Sequence, residues 1–212
     1  MTKYVKEFNN LNCNPEILDV VLPVQRQRKE ITESMAMIKI LRKIVLKRKD
    51  FQYQIFDFCA GNALTSVIAS FLFKNVSCFA IDIRPREREW SKVKNFEYLN
   101  SDIRKEDWGL LIKTFKKIHP HIKTIIMSVH PCIDLAETIL SIHRTSKSNY
   151  LILMPCCQGK TAGYSLPEVI VKKIGKYLRW CLYLQNKIEG NSKLYIDNFC
   201  LSPKNAIITA GL

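Results

Sequence analysis

The sequence is short of the residues that interrupt regular structure, with seven glycines and eight prolines in 212 positions. No internal repeat, low-complexity tract or long linker breaks it, so most of the chain is expected to be helix or strand. It has no apolar run near the ~20 residues a membrane span needs. The charged, aromatic start from Met1 to Asn10 is followed by no uninterrupted apolar core of a signal peptide. A soluble, intracellular, cytoplasmic protein without a membrane partner is therefore expected. Paired cysteine spacings are also missing. The eight cysteines are scattered, which argues against a zinc module or a disulfide framework and for reduced thiols, most of them filling core. Acidic residues are scarce beside basic ones, 19 against 33, for a formal net charge of +14. Such a surplus attracts polyanions, and RNA is the expected partner class.

A chain of this length is expected to form one domain, residues 1–212, with a core that needs neither disulfide nor metal. Runs rich in β-branched and aromatic residues recur at Tyr53–Phe58, Val76–Ile81, Phe96–Leu99, Ile122–Val129, Tyr150–Met154, Lys193–Phe199 and Ala206–Ala210. Between them, helical periodicity marks Ala63–Phe73, Arg86–Lys94, Lys105–Ile118, Ile133–His143 and Leu166–Lys187. Alternation of this kind predicts an α/β fold with a mostly parallel sheet and helices on both faces. The last two strands are joined by a segment too short for a crossover helix, so a C-terminal antiparallel hairpin is predicted. Ahead of the core, residues 1–30 form an N-terminal extension and residues 31–49 a leading basic helix. On it Lys39, Lys43 and Lys47 recur at i+4 behind Arg26, Arg28 and Lys29. That row suits either a phosphate backbone or a solvated face.

In an open parallel sheet, ligands bind beyond the carboxyl ends of the strands. The first strand ends in "DFCAGNALTS", where Gly61 allows close backbone approach and a helix starts near Asn62 or Ala63. The second ends in "AIDIR", which sets Asp82 where a ribose hydroxyl acceptor belongs. The third ends in "LNSDIR", bringing Asp102 to the same pocket. The fourth and fifth end in "MSVHPCIDLAETIL" and "LILMPCCQGK", which crowd His130, Cys132 and Asp134, then Cys156, Cys157 and Gln158, onto one edge.

From Ile31 to Leu212 the sequence resembles the class I S-adenosylmethionine-dependent methyltransferases. Their loop after the first strand reads Asp-x-Gly-x-Gly-x-Gly; the corresponding positions here are Asp57, Cys59, Gly61 and Ala63, with two glycines replaced by small residues. A lone sulfonium cofactor has no pyrophosphate to cradle, so those losses weigh more against a dinucleotide than against this class. The resemblance implies a seven-stranded Rossmann-like methyltransferase sheet. It also implies that Asp57, Cys59, Ala60, Gly61 and Asn62 line the methionine part of the cofactor, and that Asp82 holds the ribose. Ile83 would pack on adenine, Asp102 and Ile103 would meet the adenine edge, and Ser128 would join the cofactor set. A narrower similarity, carried by the His-x-Cys turn, the Asp-Leu-Ala helix, the Cys-Cys pair and the upstream "RQRKEITESMA", is to the acceptor-stem tRNA 2′-O-methyltransferases and related methyltransferase-like proteins. The chain departs from them in a shorter His-to-Asp spacing and in lacking a Gly after Cys132.

Methyl transfer from a sulfonium is an in-line displacement, and an attacking hydroxyl also needs a base. His130 has a suitable ordinary pKa, about 6.5, and Asp134, one helical turn away, is placed to orient it. A helix-cap or core histidine and a first-turn acid are the competing readings. The Pro-Cys turn and the Cys after the fifth strand also resemble cytosine C5-methyltransferases, which attack through a thiolate, though Val129 and His130 replace their acidic partner. Cys132 and Cys156 are accordingly candidate catalytic groups. His130, Cys132, Cys156 and Cys157 form a conceivable soft-metal set, but the adjacency of two cysteines argues against one tetrahedral ion, and no metal is expected. Otherwise Cys156 and Cys157 simply line the acceptor pocket. The expected function is methylation of tRNA or rRNA, with phosphate contacts from Arg84, Arg86 and Arg88 and recognition from the domain or a partner protein. The alternatives are a protein or small-molecule methyltransferase and a non-catalytic binding protein of the same fold.

Overall fold

In the computed structural model, which describes residues 1–161 and 164–212, the apolar runs pair as one seven-stranded sheet. Strands β1 (Gln52–Phe58), β2 (Val76–Asp82), β3 (Phe96–Asn100), β4 (Ile122–Val129) and β5 (Tyr150–Met154) are parallel. β6 (Ser192–Ile196) and β7 (Ala206–Ala210) form the predicted antiparallel hairpin, and β7 also runs antiparallel to β5. The spatial order is β3-β2-β1-β4-β5-β7-β6. Chain order therefore reverses between β1 and β4, and ligands of such sheets bind at that switch point. β1 beyond Gln52 and the middle of β4 are buried on both faces, so even their polar residues Gln54, Asp57, Thr124 and Ser128 are covered.

Helices α1 (Lys3–Asn9), α2 (Asn14–Val21), α3 (Gln27–Lys47) and α4 (Leu64–Leu72) cover one face. α5 (Trp108–Ile118), α6 (Ile133–Ser146) and α7 (Glu168–Asn186) cover the other. α7 is kinked at Gly175, whose φ of 75° is the left-handed conformation a side chain resists. The expected extension before residue 31 is largely helical. Tyr4, Val5 and Phe8 of α1 and Ile17, Val20 and Val21 of α2 are buried in the core, and α3 begins at Gln27 rather than at residue 31.

One predicted helix needs correction. Arg86–Lys94 is not a helix: one 3-10 turn, Trp90–Lys92, interrupts an extended passage. Pro85 precedes that passage, and Trp90 anchors it, stacking on Tyr98 at 5.1 Å and donating its indole N–H to the Arg86 carbonyl at 3.0 Å. Ring burial on β3 outweighs helix propensity here. The lysine row of the leading helix lies on an exposed face, with two of its members in contact with the C-terminal hairpin region. Lys39 bonds Asp197 at 3.3 Å beyond β6, and Lys43 lies over the Tyr195 ring.

Candidate cofactor and acceptor site

The loop leaving β1 is built from alternating left-handed residues. Cys59, Gly61 and Ala63 have φ of 59°, 58° and 55°. Those are the positions that the family resemblance gives to glycine. The backbone keeps the glycine conformation after two glycines have gone, at a cost of roughly 1–2 kcal/mol for each side chain held there. Gly61 N–H donates to Asp82 Oδ2 at 2.8 Å, and Ala60 N–H to the Ile81 carbonyl at 3.1 Å, so the end of β2 latches the loop.

A cleft of about 1010 Å³ opens over this loop at the switch point. That volume is at the upper end of ligand-pocket sizes and leaves room for an acceptor beside a cofactor. Cys59, Ala60, Gly61 and Asn62 form its floor, and Asp82, Ile83, Asp102 and Ile103 one wall. Asp82 is nearly buried. Burial pushes its carboxyl up, but bonds from the Arg84 side chain, Arg84 N–H and Gly61 N–H outweigh burial and hold it below the usual range. Ile83 is 57 % exposed, an apolar platform beside a buried acid. Asp102 is gripped by Arg104 through Nε and Nη2, which hold its carboxyl below the ordinary value.

Two residues expected on the cofactor wall lie behind it. Asp57 is buried under the loop, where it accepts from Ser66 Oγ at 2.6 Å while its Oδ1 has no partner among the described residues. Desolvation pushes its pKa up to about 7, against the Ser66 bond and with a contribution from the Asp82 charge. Ser128 is likewise buried and donates to the Phe58 carbonyl at 2.6 Å. Both act through the loop's backbone. The ionised Asp82 on the cleft wall suits a cationic ligand with a ribose, such as S-adenosylmethionine, better than a pyrophosphate.

The opposite wall holds the reactive groups. His130 stands at φ 57° with its N–H bonded to the Met154 carbonyl at 2.7 Å, a pose that turns its ring to the cleft. Its partner is not Asp134, which is exposed and faces Arg104 at 3.7 Å. Nε2 lies 2.5 Å from Oε1 of Glu33, on α3. Burial pushes the Glu33 carboxyl up, but the His130 bond and charge together with Lys29 at 3.3 Å outweigh it and bring it below its ordinary value. An ionised carboxylate only accepts, so Nε2 carries the proton, and Nδ1, buried and without a partner among the described residues, is the remaining proton site. Sequence reasoning missed Glu33. Its signal was the polar run Thr32-Glu33-Ser34 within a stretch of α3 buried from Ile31 to Ile38. Cys132 lines the cleft, whereas Cys156 sits behind it, 3.9 Å from Cys132. Burial and neighbouring thiols push both upward, the direction opposite to a nucleophilic cysteine.

A seven-stranded sheet with this strand order and terminal hairpin, acids at the end of β2 and beyond β3, and a glycine-type loop after β1 make up the Rossmann-like architecture of a class I methyltransferase domain. The profile of a family described as "Methyltransferase domain" matches residues 26–163, and the chain belongs to that family. No curated protein matches the sequence. Among solved structures, the chain is similar to the DszA carbon methyltransferase at 12% identity and a TM-score of 0.47, over 86% of this chain and 53% of that one. It is also similar to MycE methyltransferase from the mycinamycin biosynthetic pathway, in complex with Mg and SAH, at 11% and 0.43 over 85% and 47%. A third is a SAM-dependent methyltransferase from Aquifex aeolicus, at 14% and 0.39 over 83% and 95%. The chain thus spans about half the length of the first two.

Proposed function

We propose that the protein transfers a methyl group from S-adenosylmethionine to RNA, a tRNA or an rRNA, at a hydroxyl or nitrogen, with His130 as the base. The observation that supports an RNA acceptor is the charge of the cleft wall. Arg26, Lys29, Arg84, Arg86, Arg88 and Arg104 line it against the acids Glu30, Glu33, Asp82 and Asp102. The acids are engaged by Asn62, His130, Arg84 and Arg104 respectively. Arg26, Arg86 and Arg88 form no ion pair among the described residues; Arg88 donates to the Glu87 and Pro23 carbonyls, but the charges of all three are uncompensated and favour phosphates. The extended Arg86–Glu89 passage is what sets two of them at the mouth.

S-adenosylmethionine supplies an electrophilic methyl on a positively charged sulfur. Glu33 holds the Nε2–H tautomer of His130, so the ring takes the proton of the attacking group at Nδ1, a buried atom that must be uncovered as the acceptor binds. The left-handed loop and Asp82 position the cofactor, and the arginines hold the acceptor's backbone. Incubation with tritiated S-adenosylmethionine and total RNA tests this reading. Label should enter the RNA fraction and fall on the order of 10²- to 10⁴-fold in His130→Ala, with cofactor affinity retained. Label found only in protein or small molecules would overturn the RNA acceptor. An unchanged rate in His130→Ala would remove the base.

A further inference from the structure

Three thiols from two strand ends meet at the rim of the cleft. Cys132 caps the N-terminus of α6, and Cys156 and Cys157 follow β5. Their sulfurs form a triangle with sides of 3.3, 3.7 and 3.9 Å. Tetrahedral zinc with Zn–S bonds of about 2.3 Å needs S···S edges of about 3.8 Å. The triangle therefore lies close to one face of a zinc tetrahedron. The adjacent pair, which argued against a single ion on sequence grounds, has its two sulfurs turned to the same side.

We propose that Cys132, Cys156 and Cys157 form a soft-metal site that binds one Zn²⁺ per chain through three thiolates, with the fourth position left to solvent or an acceptor group. This goes beyond the methyl-transfer reading and stands without it. Two further observations support it. Cys132 is exposed and the other two are half-buried, so an ion has a way in. The three sulfurs come from two separate strand ends and face one another without forming a disulfide. A disulfide between Cys156 and Cys157 is not the alternative. Adjacent Cα atoms lie about 3.8 Å apart across a trans peptide, below the usual ~4.4 Å minimum for a disulfide. Three protein ligands and an open position are the pattern of reactive rather than structural zinc. Ligation displaces the thiol protons into solvent, so affinity rises with pH.

The test uses the full chain, stripped with chelator under reducing conditions and titrated with Co²⁺. Thiolate-to-cobalt charge transfer and an intense tetrahedral d–d band should saturate at one equivalent and collapse on adding Zn²⁺. Each of Cys132→Ser, Cys156→Ser and Cys157→Ser should weaken binding on the order of 100-fold or more, while Cys13→Ser leaves it unchanged. Urea unfolding of each variant checks the fold. Cys132→Ser, at the most exposed position, decides the matter if a buried variant does not fold. Absence of charge transfer in the reduced protein, a band that survives in Cys157→Ser, or formation of a Cys132 disulfide without any metal uptake after reduction would each overturn the site.

Discussion

Asp57→Asn should reverse sign between acid and neutral pH. In the native protein the carboxyl titrates at about 7, against 3.8 for the ordinary residue. Because the folded value is the higher, this acid leaves the fold most stable below pH 3.8. Stability is lost as pH rises through about 7 and the buried group is forced to ionise. Roughly three pH units at about 1.4 kcal/mol each amount to about 4 kcal/mol, fully lost above neutrality. Asparagine cannot ionise, so it escapes that loss. It places an amide where Oδ1 already lacks a partner, at a pH-independent cost of about 1–3 kcal/mol. The variant should therefore be the less stable protein at acid pH and the more stable one at pH 8. Urea unfolding of both proteins between pH 5 and 8 measures the difference in stability at each pH, which cancels every other titrating group. The difference should change by about 3 kcal/mol across that range. A difference that stays flat to within about 0.5 kcal/mol would refute a neutral Asp57 beneath the loop.

Glu33→Gln keeps the shape of the His130 contact but no longer selects the Nε2–H tautomer. Methyl transfer should drop on the order of 10²-fold or more at unchanged cofactor affinity. Since the folded Glu33 pKa lies below 4.5, wild type should also lose the stability of this pair as pH falls through the folded value, and the variant should lack that component. Ile83→Ser removes an apolar surface that is 57 % exposed. It should weaken S-adenosylmethionine binding by calorimetry by about tenfold, from about 1–1.5 kcal/mol of lost burial, with little change in unfolding midpoint. Arg86→Ala and Arg88→Ala should each weaken RNA affinity and lower the slope of log affinity against log salt by about one, as read by filter binding across a salt series.

The cofactor half of the site was legible in the sequence because it follows chain order. Loop, Asp82 and Asp102 each close a strand, and parallel crossovers carry those ends to one edge without any long-range guess. Asp57 was found as a residue and misplaced as a wall. Its apolar neighbours Phe56 and Phe58 are buried too, and nothing in the sequence says that the whole of β1 beyond Gln52 is covered. Trp90 misled for the opposite reason: its periodicity suited a helix, and only the facing Tyr98 and Phe96 of β3 make an extended passage preferable. Glu33 lies 97 residues from His130, and no local spacing announces a pair so distant.

α3 lays successive polar residues against separate parts of the molecule. Glu30 accepts from Asn62 in the cofactor loop at 3.1 Å, and Thr32 Oγ1 accepts from Leu201 N–H beyond the β6 strand at 3.0 Å. Glu33 holds His130, and Ser34 Oγ accepts from Thr65 at the head of α4 at 2.9 Å. A helix that only covered the sheet would present apolar side chains at these positions, because buried polar groups cost stability unless each finds its partner. Every one of these does, and two of the four partners belong to the cofactor loop and the candidate base. The leading helix thus ties the loop and His130 together across the cleft, adding to the hold that the ends of β2 and β5 already have on them.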